Sequence, residues 1–397
     1  MGQLRIMTLF GTRAEVIKMA PIIKLMKQDP DTFEPVIVVA SKQYQQLHQA
    51  MSFLGIESDF DLNVKSSAEI GMIEQLSQLL HNVQTVISAA QPDMSMVLGD
   101  TITTLSASLA AFYNQIPVAH VEAGLRTYDK LNPFPDEMQR HLTDTLSDVF
   151  FAPTEQAREN LINDSIAPER IFVTGNTIVD TVTQYYDPNY QSKLLDTIPE
   201  NHEFALLTMG RVENTGLPME RVFRTMRDVI ETNPNLELIC PIATDSAAFG
   251  IATEILSNRD RIHVLPLMDL GDFLNTAARS KFILTDSAGT VEEASVFHKP
   301  VLLLRKNTER QEAIQAGTAK VVGTDPTSIQ QAVFSLLNDK KYYNQMTSGG
   351  QIFGDGHAAD KIVDIIKREF WKKLQSAMVG VLYLVKNIAE NCWQTFH

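Results

Sequence analysis

Along this chain, short unbroken apolar runs alternate with longer stretches in which apolar residues recur at every third or fourth position. The runs Leu4–Phe10, Pro35–Ala40, Met94–Leu98, Pro117–Val121, Val149–Ala152 and Ile171–Thr174 are apolar or β-branched and bounded by turn residues. Such runs fit strands covered on both faces, as in a parallel sheet. Between them, Glu15–Lys27, Ile70–Ala90 and Thr103–Tyr113 read as helices. The pattern then restarts, with strand-like runs at Phe204–Met209, Leu236–Pro241, Ile262–Leu265, Phe282–Thr285 and Pro300–Leu304 and helices between them. Two successive series of βα units predict an α/β chain with two doubly wound, Rossmann-like domains, each on a parallel sheet.

The polar stretch Tyr185–His202, YYDPNYQSKLLDTIPENH, divides the two series. The reading is therefore a first domain over residues 1–184, a linker over 185–202 and a second domain over 203–366. From Ala359 the chain has helical character to near its end, and a closing helix over 367–397 is expected to return to the first domain. A length of 397 residues, more than one ordinary core needs, agrees with this division.

Composition adds a few exclusions. A hydrophobic content of 44% against 21% charged residues is ordinary for a globular protein. The formal charge of −14 argues against nucleic acid or an anionic membrane as partner, since phosphate binding needs a basic face. An anionic ligand then requires a locally basic pocket. Cys240 and Cys392 stand far apart with no metal-ligand spacing, and no charged-then-apolar leader precedes Leu4; both point to the cytoplasm. The apolar run Ala377–Val385 is about half the length of a membrane span.

Candidate chemistry concentrates where strands end. The segment His120–Glu137, HVEAGLRTYDKLNPFPDE, carries Glu122, Arg126, Asp129, Asp136 and Glu137 just past a strand. Ionisable groups at a strand exit are costly unless paired or functional, so the segment reads either as an ion-pair network or as a ligand crevice. The first strand runs into GTRAE, where Gly11 permits a tight turn and Arg13 and Lys18 bring positive charge to a helix start. A plain surface turn is the other reading of that stretch. Another strand ends in GDTITT, where Asp100 is either a helix N-cap or a group at the same sheet edge as Glu122 and Arg126. In LTDSAGTVEEA, Ser287 is expected to cap a small-residue turn containing Gly289, followed by Glu292 and Glu293. One of these acids suits the helix dipole, and one could accept from ribose hydroxyls. The next strand ends in LLRKNTERQE, bringing Arg305 and Arg310 to that edge, where they suit a diphosphate.

Taken together, GTRAE, GDTITT, HVEAGLRT, NPFPDE, FAPTEQA, GNTIVD, LLTMGRVEN, LTDSAGTVEEA, NTERQEA and FGDGHAAD resemble the non-hydrolysing UDP-N-acetylglucosamine 2-epimerases, nearly collinearly from Leu4 to about Ile366. The resemblance implies a glycosyltransferase-B-like fold, with UDP held mainly by the second domain and the sugar facing the first across a cleft. It implies homodimers that need no nicotinamide or other cofactor and no metal, with a UDP-sugar as ligand, supplying surface polysaccharide synthesis. The family reaction inverts C2 of the sugar through elimination of UDP to a glycal and re-addition with a proton on the other face. By the same resemblance Asp100, Glu122 and Asp136 fall on the acid–base positions and Arg13 and Lys18 on the substrate loop. Ser287, Gly289, Glu293 and Arg310 fall on the UDP site, with Glu293 as ribose acceptor and Arg211 beside the phosphates.

Several positions depart from the family pattern. Where it has His-Arg-Arg-Glu-Asn, this chain has Gly210, Arg211, Val212, Glu213 and Asn214. Where it has Pro-x-His-x-Asn-Pro, part of an activator site in many members, the chain has Ala243, Asp245 and Ser246. Asp136 replaces a Glu, Ala288 a Gly, and Lys42 a Gly; Pro is absent at 14 and 311. Removing one positioned acid–base group commonly costs roughly 10²–10⁴-fold in rate. Three readings therefore stand: an active epimerase, a UDP-sugar-binding homologue with impaired catalysis and, third, a hydrolase or glycosyltransferase on the same scaffold. The segment from Phe370 onward matches nothing in the pattern and reads as a helix packed on a neighbouring surface or, alternatively, as a peripheral membrane contact.

Overall fold

A computed structural model describes residues 3–41, 44–244 and 246–371 of the chain. Lys42, Asp245, Cys392 and the expected helix beyond residue 371 lie outside the described residues. The first sheet contains β1 (Leu4–Phe10), β2 (Phe33–Val39), β3 (Phe60–Asp61), β4 (Met94–Leu98), β5 (Val118–Val121), β6 (Val149–Ala152) and β7 (Ile171–Val173). Its strands lie in the order β3-β2-β1-β4-β5-β6-β7, and the pairings are parallel. The second contains β8 (Glu203–Thr208), β9 (Leu236–Pro241), β10 (Ile262–Leu265), β11 (Phe282–Thr285), β12 (Val301–Leu303) and β13 (Ala319–Val321), in the order β10-β9-β8-β11-β12-β13 and again parallel. The α/β class and the doubly wound sheets are as the apolar runs predict.

Two strands escape the sequence pattern. β3 has two residues and β13 has three, and each sits at a sheet edge where Asp61 or Lys320 faces solvent. Runs that short, with a charged member, carry no apolar signal. The central strands behave oppositely: Ile6, Met7, Val118, Ala119, Leu206, Leu207, Ile283 and Leu284 are fully buried.

Both sheets share a consequence of their order. In each, the first strand lies in the interior, and the chain winds first to one side and then to the other. The reversal falls between β1 and β4 in the first sheet and between β8 and β11 in the second. Loops leaving adjacent strands at such a point turn to opposite faces and leave a crevice at the carboxyl edge.

The two sheets are joined by apolar packing and by the returning chain. One core cluster runs from Phe10, Val16 and Met19 through Ile178 and Val182 to Leu206, Ile283 and Val291. Helix Ala358–Ile366 comes back onto helix Arg13–Gln28, with Ile362 and Ile366 buried in that cluster. Its start is capped by Asp180, whose carboxylate accepts from the N–H groups of Ala358 and Ala359 at 3.2 and 2.8 Å. Just before it, Gly354 lies against Gly175; both have positive φ, and a Cβ on Gly354 would lie 3.0 Å from the Gly175 Cα. Larger residues there would push the returning segment away.

Candidate active site

The two crevices face each other. At the β1 exit, Thr12 caps helix Arg13–Gln28 in a capping box with Glu15, which fixes the turn that presents Arg13. Lys18 follows on the same helix and is buried. At the β4 exit, Thr101 rather than Asp100 caps helix Ile102–Tyr113 by accepting from the Thr104 N–H, so Asp100 is left for another role. Its carboxylate accepts from the Arg140 guanidinium, which also holds Glu137. At the β5 exit Glu122 has φ +66, a conformation that costs a non-glycine residue and is retained where surrounding groups over-determine it.

Those groups come from both sheets. The Lys18 ammonium sits 2.6 Å from Glu122 and 2.7 Å from Glu292 of helix Ala288–Val296. The Arg310 guanidinium binds the same two carboxylates, from the second sheet's side. Two cations and two anions thus alternate in a buried square across the cleft. Asn176 completes Glu292 with a hydrogen bond of 2.9 Å. Glu309 extends the network, 3.1 Å from Arg305 and 3.3 Å from Arg310. Removing one member would leave its opposite charge buried and uncompensated. The ion-pair reading of the Glu122 segment holds, with partners drawn from both sheets.

The electrostatics separate the acids. Burial works to raise the Glu122 carboxyl, but Lys18 and Arg310 outweigh it and hold the group below its usual range. In turn Glu122 and Glu292 overcome burial to hold Lys18 and Arg310 above their usual ranges. Asp136, at the head of helix Asp136–Leu146, is pushed up to about 6 by burial and then by the negative charge of Asp100, against the pull of Arg211 at 3.6 Å. A carboxyl that exchanges its proton near neutral pH thus stands beside one held ionised, the division that acid–base chemistry uses.

Between the two sheets lies a cavity of about 640 Å³ lined by Arg13, Lys18, Gly210, Arg211, Ser287, Gly289, Glu293 and the apolar side chains of Ile17, Ile178, Leu267, Met268 and Phe273. Asp286, at the tip of β11, accepts from the backbone N–H groups of Gly210 and Arg211 at 3.2 and 3.1 Å and from the Asn214 amide at 3.0 Å. It fixes the loop that carries Arg211. Ser287 makes no cap hydrogen bond through its side chain, contrary to the expectation from sequence. Its backbone N–H is instead taken by the Thr285 hydroxyl at 2.9 Å, and Ser287 lines the cavity. Glu293 is pushed up to about 7 by burial, with Arg13 opposing. Arg13 reaches the Met268 carbonyl at 2.8 Å, closing one side of the cavity.

All ten site residues read from sequence lie at the two facing edges, in two groups. Arg13, Lys18, Arg211, Ser287, Gly289 and Glu293 line the cavity. Asp100, Glu122, Asp136 and Arg310 form the ionic wall beside it, joined to it through Lys18 and through Arg211. Gly210 and Ala243 line the cavity, and a Cβ at Gly210 would meet nothing within 4 Å. Sequence reading missed Arg140, Glu309, Asn176 and the structural role of Asp286. It placed His120 in the motif but not its partners: the buried ring nitrogens lie 2.6 Å from Asp144 and 2.8 Å from the Gly99 carbonyl. The signal available for Arg140 was its position three residues after Glu137 on one helix face. Among the described residues no group of three His, Cys, Asp or Glu is placed to hold a metal ion, and no helix is long and apolar enough to cross a membrane.

Comparison with known proteins gives a consistent picture. A family model described as UDP-N-acetylglucosamine 2-epimerase matches residues 24–367. The chain is 40% identical over 364 residues to the UDP-N-acetylglucosamine 2-epimerase of Bacillus subtilis (strain 168), covering 92% of this chain and 95% of that one. A co-structure of S. aureus MnaA with UDP superimposes with a TM-score of 0.88 at 42% identity, covering 92% and 96% of the two chains. The UDP-GlcNAc 2-epimerase of Neisseria meningitidis bound to UDP-GlcNAc does so with a TM-score of 0.86 at 32% identity, covering 92% and 100%.

Proposed function

The chain belongs to the UDP-N-acetylglucosamine 2-epimerase family, and from that premise we propose how its cleft interconverts UDP-GlcNAc and UDP-ManNAc. UDP lies in the cavity between the sheets, mainly against the second. Ser287 and Gly289 meet the diphosphate at the start of helix Ala288–Val296, where N–H groups face an anion. Arg13, Arg211 and Arg310 supply the positive charge that a leaving diphosphate needs. Glu293 accepts from the ribose hydroxyls. The sugar then reaches toward Asp100, Glu122 and Asp136.

In the forward direction a carboxylate of this wall takes the C2 proton, the C1–O bond to UDP breaks, and a 2-acetamidoglucal and UDP remain in the cleft. A proton returned to C2 on the opposite face and re-addition of UDP at C1 give the epimer. Asp136, with its proton exchange at about 6, suits the group that alternates between acid and base; burial first and then repulsion from Asp100 keep it there. The observation that carries this reading is the meeting of three carboxylates from the first sheet with a basic, nucleotide-sized cavity between the two sheets.

Proton NMR of UDP-GlcNAc incubated with the protein in D₂O tests it. Deuterium entering C2 while UDP-ManNAc signals grow is the expected result. An unchanged spectrum with UDP bound would overturn the catalytic reading and leave a binding protein.

The finer expectations follow the same family. The division into domains at 1–184 and 203–366 places one crevice in each. A homodimer would cover the exposed Leu131, Phe134, Met138 and Leu142 beside the acid-bearing helix, and light scattering should give twice the chain mass. The buried free thiol of Cys240 suits a cytoplasmic setting.

A further inference from the structure

Glu15 belongs to neither group of site residues. It is nonetheless 2% exposed, and its carboxylate lies within 3.2 Å of four polar groups. One carboxylate oxygen accepts from the backbone N–H groups of Gly11 and Thr12 at 2.8 and 2.7 Å. The other accepts from the Thr101 hydroxyl at 2.6 Å and lies 3.2 Å from the Thr104 hydroxyl. The first pair belongs to the loop that carries Arg13, the second to the loop that follows Asp100.

The two loops also touch directly. A Cβ on Gly11 would lie 2.1 Å from the Thr103 Oγ1, so the β1 exit packs against the β4 helix start with no room for a side chain. The Thr104 hydroxyl lies 2.6 Å from the Leu98 carbonyl, which ties the brace to the end of β4 itself.

We propose that Glu15 is a positioning residue that braces the two loops of the first crevice and so sets the distance between Arg13, at the nucleotide, and Asp100, at the reacting carbon. The inference rests on the epimerase reading for its catalytic consequence. It needs no charge on Glu15. An amide in its place keeps all four links: its oxygen accepts the Gly11 and Thr12 N–H groups, and its NH₂ donates to the two threonine oxygens, whose hydroxyl hydrogens rotate to other acceptors. A shorter or missing side chain loses the span. Misplacing reacting groups by about 1 Å can cost on the order of 10²-fold in rate, which is the scale at stake.

The test compares Glu15→Gln, Glu15→Ala, Glu15→Asp, Thr101→Val and Thr101→Ser in the full chain. Turnover of UDP-GlcNAc, UDP affinity by calorimetry, and amide hydrogen exchange at Gly11 and Thr12 are read for each. Glu15→Gln and Thr101→Ser should keep kcat within about threefold. Glu15→Ala, Glu15→Asp and Thr101→Val should lose roughly 10- to 100-fold in kcat with UDP affinity within about threefold of wild type. Exchange at Gly11 and Thr12 should speed up in Glu15→Ala and stay slow in Glu15→Gln. If Glu15→Gln falls as far as Glu15→Ala, the charge itself acts and the brace is wrong. Wild-type kcat in Thr101→Val would overturn it equally. A wild-type protein that binds UDP without turnover would instead overturn the epimerase reading. The brace would then stand or fall on the exchange rates, and equal protection in Glu15→Ala and Glu15→Gln would overturn it.

Discussion

At the carboxyl edge of the first sheet, loops end in carboxylates: Asp100 after β4, Glu122 after β5 and Asp136 at the head of the following helix. At the matching edge of the second sheet, loops end in small residues and arginines: Gly210 and Arg211 after β8, Ser287 and Gly289 after β11, Arg305 and Arg310 after β12. Both edges are topological switch points of doubly wound parallel sheets, so the difference comes from side chains and not from architecture. The proposed function gives the first wall the proton transfer and the second most of the anion. The buried square of Lys18, Glu122, Glu292 and Arg310 fastens the two together, each wall giving one cation and one anion.

That contrast breaks first at Glu122. Glu122→Gln removes the ionised carboxylate while keeping its volume, and leaves Lys18 and Arg310 with Glu292 as their shared partner, so some stability is lost as well. Turnover should fall by about 10²–10⁴-fold while UDP affinity, measured by calorimetry, stays within about threefold. A matching loss in UDP affinity would mean that the two walls do not divide the work.

Asp136 sharpens the contrast through pH. Its folded carboxyl takes up its proton at about 6, above the usual aspartate range, because of burial and then of Asp100. The native state therefore holds that proton when the unfolded chain has lost it, and stability is lost as pH rises through about 6. Asp136→Asn mimics the protonated form. It should be more stable than wild type at about pH 8, by up to about 2 kcal/mol, with the difference vanishing as pH falls below about 4. Chemical denaturation across that range checks it; a difference independent of pH would show that the carboxyl is not strained by its neighbour.

How much of this could be read from the chain alone differs between the walls and the links that join them. The central strands announce themselves as apolar runs because both faces are covered, and the site residues beside them follow from being next to a strand end. Edge strands such as Phe60–Asp61 do not, since one charged residue in two erases the pattern. The links are harder still. Arg310 meets Glu122 across 188 positions and Arg140 meets Asp100 across 40, and no periodicity connects such residues. Ser287 shows a different failure: a hydroxyl before a helix looks like a cap, but the Thr285 hydroxyl takes the Ser287 N–H and Ser287 Oγ makes no cap bond. His120 was legible only as part of a motif, because a histidine inside an apolar run does not show which acceptors its two ring nitrogens will meet.

On the second wall, Glu293 gives a smaller effect of the opposite kind. Glu293→Ala should weaken UDP about tenfold, near 1.4 kcal/mol, and leave the turnover of bound substrate largely intact. Ribose hydroxyls donate best to the ionised carboxylate, and this group ionises at about 7, so wild-type affinity should fall as pH drops below that value. The variant should lose this dependence. Equal affinity of variant and wild type across the pH range would remove the ribose assignment.

The smallest expected change asks whether the second wall can be given chemistry. Gly210 stands where the family resemblance places an imidazole, on a loop already fixed by Asp286. Its φ lies outside the left-handed region, and a Cβ there meets nothing within 4 Å, so Gly210→His should fold with a stability within about 1 kcal/mol of wild type. The added ring would enter the cavity beside Arg211, close to Asp136. A rise in kcat of less than about tenfold, with unchanged UDP affinity, would mean that the carboxylates of the first wall carry most of the proton transfer and that an imidazole only assists them. A larger rise would show that the division between the walls is a property of this chain's glycine and not of the fold. No rise at all would place the whole acid–base apparatus on the first wall, where Arg140, Lys18 and Arg310 already hold Asp100 and Glu122 in place.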